Sequence, residues 1–304
     1  MNFELEKPKH LISLASSAVI VTVEVNVWTA TKQDKAISNE VTTAKRASAD
    51  AGKFTQNLLA NSPEHKALLN YRQTVYNWLQ RCTYDWAGSA RLLPTFQIEK
   101  FMKELGEHKT AFQALLNDFI TKYPSIVSDA AFKQGDMFDR MLYPDPKDIL
   151  RRFQIKEFIS DVPRNDFRTG GIATAIADDL QQHFTRQTKD IVNNVMADAS
   201  ERLMTIAERI SSACAEPEYK DDGKSKRKKI YDTTVSQAKE ICETLKHFNL
   251  TNNSALEDAR QQLEAALNGV TTEDLRESAY ERRKVKDSVD DMLSKFKPLR
   301  TFND

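Results

Sequence analysis

Between residues 172 and 214 apolar side chains return every three or four positions without a break: Ile172, Ile176, Leu180, Phe184, Ile191, Val195, Ala199, Leu203, Ile206 and Ile210. That spacing places them on one face of an α-helix. At 1.5 Å rise per residue the helix would run for about 60 Å, beyond the diameter of a small domain. A stripe so long needs cover along its length, from the same chain or from a second copy. Helical patterns follow at 230–249 (Ile230, Val235, Ile241, Leu245, Phe248), 254–268 (Leu256, Ala259, Leu263, Leu267) and 272–296 (Leu275, Ala279, Val285, Val289, Met292, Phe296). Asn249 to Asn253 and Asn268-Gly269 supply the stops between them. A charged stretch at 215–229 reads as a hinge that returns the chain along the long helix as an antiparallel hairpin.

The N-terminal half reads differently. Val19, Val21, Val23, Val25 and Val27 alternate with Ile20, Thr22, Glu24, Asn26 and Trp28, the period of a half-buried strand over 19–28. A polar turn at 29–34 leads into helical patterns at 35–61, 64–87 and 95–122, with a shorter one near 125–140. Asn61-Ser62-Pro63 separates the first two, Gly88-Ser89 through Pro94 breaks the chain after the second, and Tyr123-Pro124 closes the third. Tyr143-Pro144-Asp145-Pro146 is a rigid connector into a second strand at 153–160, carried by Phe153, Ile155 and Ile159. An isolated strand leaves its backbone groups unpaired, so 19–28 is expected to pair with 153–160. The expected fold is mainly α: an elongated helical bundle with a long antiparallel helical hairpin and a small two-stranded β element. The expected domains are an α+β helical body at 1–165 and the long-helix hairpin with its helical tail at 166–304, hinged at 215–229.

Charge and cysteine usage narrow the function classes. Forty-four basic residues balance forty-four acidic ones, so the whole molecule exerts no net pull on a polyanion and any such affinity must be local. Cys82, Cys214 and Cys242 are odd in number and not paired at C-x-x-C spacing, which reads as free thiols in a reducing, cytoplasmic setting. Lys7 and Lys9 precede the apolar run 11–27, yet Glu4 and Glu6 dilute the positive charge and the run alternates as a strand does. An export signal is therefore not expected, and neither is a membrane span.

Chemistry-bearing clusters are sparse. The five histidines, His10, His65, His108, His183 and His247, lie in no metal-binding spacing. Glu104 and His108 share a helix face four residues apart, one corner of a metal site without a second, and read as a solvated pair. No cofactor, metal or catalytic residue is expected. The densest charge is Lys224-Ser225-Lys226-Arg227-Lys228-Lys229, either a solvated loop or a contact for nucleic acid or an acidic surface. Arg168 with Gly170 and Gly171 at the start of the long helix could hold an anion, or the glycines merely cap the helix. Among the aromatic residues of 71–86, Tyr71, Trp78 and Trp86 fit a core stripe. Tyr76 and Tyr84 lie off it and form a candidate partner surface.

Several segments together carry a resemblance: Val25-Asn26-Val27-Trp28-Thr29 ending the first strand, Phe119-Ile120-Thr121-Lys122-Tyr123-Pro124 ending a helix, Tyr143-Pro144-Asp145-Pro146-Lys147-Asp148-Ile149-Leu150-Arg151-Arg152-Phe153, and Asp161-Val162-Pro163. Over roughly residues 19–210 the chain resembles a phage and bacterial family of unknown function. It departs at Thr29-Ala30, where Thr-Gly is expected, and its last third has no counterpart in the resemblance. That family has no assigned activity. Its members tend to be encoded beside MoxR-type AAA+ ATPases and von Willebrand A-type proteins resembling cobaltochelatase subunits.

Three functions follow as expectations. The first is a non-enzymatic helical adaptor, phage-encoded, that works with an AAA+ ATPase complex or in self-assembly as a homo-oligomer. The second is nucleic-acid binding through Lys224–Lys229, and the third is an enzyme with a site near Arg168–Gly171.

Overall fold

The structure, a computed structural model, describes residues 14–163, 174–216, 218–219, 225–226 and 228–296. The chain is predominantly helical and divides into two units. Unit 1 gathers residues 1–20, 84–97 and 159–304, and unit 2 gathers 21–83 and 98–158. A single division at 165/166 is therefore too simple. The crossing near 158 lies close to it, but Leu14, Ala18, Ile20, Tyr84 and Leu92 bury their side chains in the same core as the C-terminal helices.

Among the described residues the strands are β1 (Ala18–Asn26), β2 (Thr31–Asp34), β3 (Phe54–Asn57), β4 (Tyr84–Ala87), β5 (Ala90–Pro94), β6 (Gln154–Asp161), β7 (Glu218–Tyr219) and β8 (Ser225–Lys226). β1 and β6 are hydrogen-bonded neighbours, as their isolation in the sequence requires. The sheet is larger than two strands, however, with order β4-β5-β1-β6, and two antiparallel ribbons stand apart from it, β2 with β3 and β7 with β8. The missing strands are ones that alternation does not mark. β2 and β3 read Thr-Lys-Gln-Asp and Phe-Thr-Gln-Asn, too polar to announce a sheet. β4 and β5 form a hairpin in which Tyr84 faces Leu92 and Asp85 faces Arg91, turning at Gly88 in the left-handed region (φ 58°).

In unit 2, α1 (Lys35–Ala44) stops far short of residue 61. Arg46 takes a left-handed φ of 51°, and the chain then turns back into β3. The face α1 buries is Ser38 and Thr42 rather than the apolar stripe, and Val41 is half exposed. The Ser38 hydroxyl accepts the Phe54 amide at 2.9 Å, which satisfies an edge donor of the small ribbon. α2 (Pro63–Cys82) begins as its sequence predicts. Asn61 is left-handed, Ser62 accepts the His65 amide, and Pro63 occupies the first turn.

α3 (Ile98–Gln134) runs through Pro124, where the sequence predicts a stop. An internal proline costs a helix about 3 kcal/mol. Here Phe119, Tyr123, Val127 and Ala130 are all buried on both sides of it, and their burial outweighs that cost. Short 3-10 turns at 135–137 and 140–142, α4 (Pro146–Ile149) and a further 3-10 turn at 150–152 lead into β6.

Unit 1 is built on α5 (Thr174–Cys214), one continuous helix as its period requires. α6 (Asp232–Phe248) and α9 (Ala279–Lys295) pack on it, with α7 (Ser254–Ala266) against both of these. α8 (Thr272–Glu277) and α9 replace the single helix expected over 272–296. Ser278 breaks the run in an extended conformation and its hydroxyl accepts the Glu281 amide, capping α9. The supposed loose hinge contains the β7–β8 ribbon, Glu218 opposite Lys226. Among the described residues no helix is long and apolar enough to cross a membrane.

Unit 2 also contains a proton-linked element. His65 is buried beside Trp28 and Phe119, and its Nε2 donates to the Trp28 carbonyl at 2.6 Å, which fixes the tautomer since a carbonyl only accepts. Burial holds this imidazole below its usual range, against the opposing pull of that carbonyl. Burial does the same to His108. Both rings are thus held neutral, while the unfolded chain takes up protons near the ordinary value of 6.5. The unfolded state then binds more protons, so stability present above about pH 6.5 is lost on acidification below it. The carboxylates held low, such as Glu64 and Asp274, act only below their ordinary range and leave this window to the histidines. Melting followed by circular dichroism should fall between pH 7.5 and 5.5, and replacing His65 and His108 with Gln should flatten the slope; a slope unchanged by that pair of substitutions would refute the assignment.

Candidate functional site

The side chains that the sequence singles out are dispersed. Tyr84 is 2% exposed, stacks on Phe248 with ring centroids 5.4 Å apart, and lies under the Arg202 guanidinium at 4.6 Å. It is a core residue, and its burial pushes its hydroxyl up to about 12. The expectation of a docking surface at Tyr84 is overturned because Tyr84 lies on β4, where side chains alternate faces, rather than on a helix extension. Tyr76 is half-buried, with its hydroxyl accepting the Val25 amide at 3.4 Å. Arg168, Gly170 and Gly171 lie outside the described residues, as do the side chains of Lys224, Lys226 and Arg227.

Glu104 and His108 do not act as one pair. Glu104 accepts the Trp78 indole N–H at 2.6 Å, and His108 Nδ1 meets the Tyr71 hydroxyl at 2.9 Å. Trp78 lies between them, stacked on Phe101 at 4.9 Å and 4.7 Å from the His108 ring. The two groups are polar fastenings between α2 and α3 rather than a solvated pair. Cys214 and Cys242 are buried thiols pushed up by burial, the latter to about 12, and Cys82 is half-buried. Among the described residues no three His, Cys, Asp or Glu side chains converge as a metal site would require.

Two features invite a partner. The first lies in unit 2 at the end of α3. Buried Gln134 donates to the carbonyls of Asn57 and Leu58 at 3.0 and 2.9 Å and accepts from Gln56 at 2.6 Å. Gln56 also donates to the Met137 carbonyl at 2.8 Å, and the Tyr143 hydroxyl to the Leu58 carbonyl at 3.0 Å. The segment is therefore fastened from inside by buried polar bonds. Outward it presents Phe132 at 88% exposure and Met141 at 89%, with Met137 half exposed between them. Phe132, Met137 and Met141 lie close together in sequence on a segment held by these buried bonds, and large exposed apolar side chains on an ordered scaffold are candidates for an interaction surface. Sequence reasoning missed them, though a signal was present. The buried positions of this helix end are 123, 127, 130 and 134, and Phe132 lies roughly 200° round from Ala130.

The second feature is a cleft of about 460 Å³ in unit 1, where the distal part of the basic tract meets α8 and α9. Lys228, Lys229, Arg276 and Arg282 line it together with Ile230, Leu275 and Tyr231, the last 59% exposed. The tract thus gains two arginines from distant sequence. Arg276 donates through Nε and Nη2 to the Ile230 carbonyl at 3.0 and 2.9 Å, and Arg282 through Nη1 to the carbonyls of Leu275 and Arg276.

No family model, curated protein or solved structure matches the chain.

Tyr84→Ala should cost about 3–5 kcal/mol in urea unfolding, as expected for removing a buried aromatic ring. A loss under about 1 kcal/mol would return Tyr84 to the surface.

Proposed function

We infer that the chain is a non-catalytic interaction protein that docks through the outward face of residues 132–141. The observation that carries this is the pairing of Phe132 and Met141, almost fully exposed, with the buried Gln56–Gln134 fastening beneath them. Ordering a large apolar side chain in water gains nothing for the isolated fold, whereas burying it under a partner gains roughly 1.5–3 kcal/mol. Methionine and phenylalanine are also well suited to a protein interface, one adaptable and the other rigid.

The partner this reading takes is a MoxR-type AAA+ ATPase, which the resemblance associates with such chains; self-assembly is the competing use of the same surface. α5, α6 and the ribbon between them would serve as an antiparallel helical hairpin within unit 1. Size-exclusion light scattering separates the cases. A complex with the ATPase, weakened at least tenfold in Phe132→Ser/Met141→Ser while its melting temperature is retained, is the expected result. A homodimer of the 34.7 kDa chain that the same pair of substitutions disrupts would replace the ATPase with a second copy. Partner affinity indifferent to both substitutions would end the proposal.

A further inference from the structure

We propose that the cleft between Lys228–Tyr231, the end of α8 and the start of α9 binds single-stranded nucleic acid, with phosphates on its cations and a base on the Tyr231 ring. The site is independent of the apolar face at 132–141. It combines three properties that a charge run alone lacks.

The first is converging charge. Lys228 and Lys229 come from the extended segment leading to α6, while Arg276 and Arg282 come from α8 and α9. Among the described residues Asp232 is the carboxylate that meets these four cations, 3.1 Å from Arg276. Arg276 keeps 43% of its side chain exposed despite that contact.

The second is preorganisation. Both guanidiniums are fixed by bonds to backbone carbonyls, which leaves Nη1 of Arg276 and Nε and Nη2 of Arg282 as donors not committed among the described residues. Lys228 is steadied by the Ser212 hydroxyl at 2.6 Å. Fixed donors lose less freedom on meeting a phosphate than free side chains do. α6 also begins at this wall without a side-chain cap, so the positive end of its dipole adds to the field.

The third is an aromatic platform. Tyr231 is 59% exposed and lines the cleft together with the cations and the buried apolar residues Ile230 and Leu275. Cations tracking a backbone with an aromatic ring for a base is the arrangement by which single strands are held without sequence preference. An acidic protein segment would use the cations and leave the ring without a role. A duplex, with its bases stacked internally, would do the same. The cleft volume falls within the roughly 300–1,000 Å³ of sites that take a small ligand, room for one nucleotide rather than a helix.

The test uses the full chain and fluorescence anisotropy with labelled single-stranded DNA and RNA 20-mers, the matching duplex and poly-glutamate, from 50 to 300 mM salt. Expected are binding of single strands in preference to the duplex and poly-glutamate, and affinity that falls steeply with salt. Lys228→Ser/Lys229→Ser should weaken binding at least tenfold and reduce the salt slope by about 1.4. Tyr231→Ala should weaken single-strand binding about 5- to 150-fold with little change in slope. Circular dichroism confirms that these exposed positions leave the fold intact. No single-strand binding at 50 mM salt overturns the proposal, as does binding that ignores the two lysines. Equal affinity for poly-glutamate or duplex with Tyr231→Ala silent also overturns it, and assigns the cleft to an acidic protein surface or to duplex instead.

Discussion

The burial of one face of α5 between Val192 and Cys214 is the interaction on which unit 1 depends. Val195, Met196, Ala199, Leu203, Ala207 and Ile210 are each at most 2% exposed, and the chains that cover them come from α6 and α9. Small residues at 199 and 207 let the neighbouring helices approach closely, and large ones at 196, 203 and 210 fill the space between. The N-terminal part of the same helix shows what happens without cover. Ile176 and Leu180 continue the period yet stay substantially exposed. Helix formation there is sustained by continuity with the packed part, because propagation from an existing turn is far easier than nucleation.

Unit 2 is held by a different balance, in which buried polar groups matter as much as apolar ones. Gln134 ends α3 in place of a cap and joins β3 to the turn that follows. Ser38 ties α1 to β3 through the Phe54 amide, and Thr42 returns its hydroxyl to the Ser38 carbonyl at 3.0 Å within the same helix. His65 and Trp78 each pin a helix through a single donated bond, to Trp28 and Glu104. Buried polar groups are costly when unpaired, so these bonds specify geometry more than they add stability. Such a unit holds its surface residues in fixed positions, which is what an ordered apolar docking face requires.

The two proposed surfaces place opposite physics in separate units. Phe132 and Met141 offer apolar area that gains only by being covered, a contact insensitive to salt. Lys229, Arg276 and Arg282 offer charge whose contribution falls with ionic strength, tempered by an aromatic ring whose contribution does not. A near-neutral chain carries both because its charges are clustered rather than uniform.

Local signals in the chain were sufficient for whatever depends on near neighbours. Periodicity over 172–214 determined an unbroken helix, found at Thr174–Cys214, valine alternation determined β1, and the cap at Ser62 with the stop at Gly269, left-handed in the fold, determined where helices start and end. Gly88-Ser89 between short apolar runs was a legible hairpin signal as well, obscured by aromatic residues that also fit a helical stripe. Tertiary structure decided the rest. Pro124 stays helical because flanking rings are buried, Tyr84 enters the core because β4 joins a sheet, and Arg276 reaches Lys229 only because α8 returns beside the start of α6. Hydrogen-bond and steric preferences act over about four residues, so sequence can encode them directly. Which face is covered, and which distant cations share a cleft, depends on how helices meet across the fold, and no single stretch of the chain carries that information.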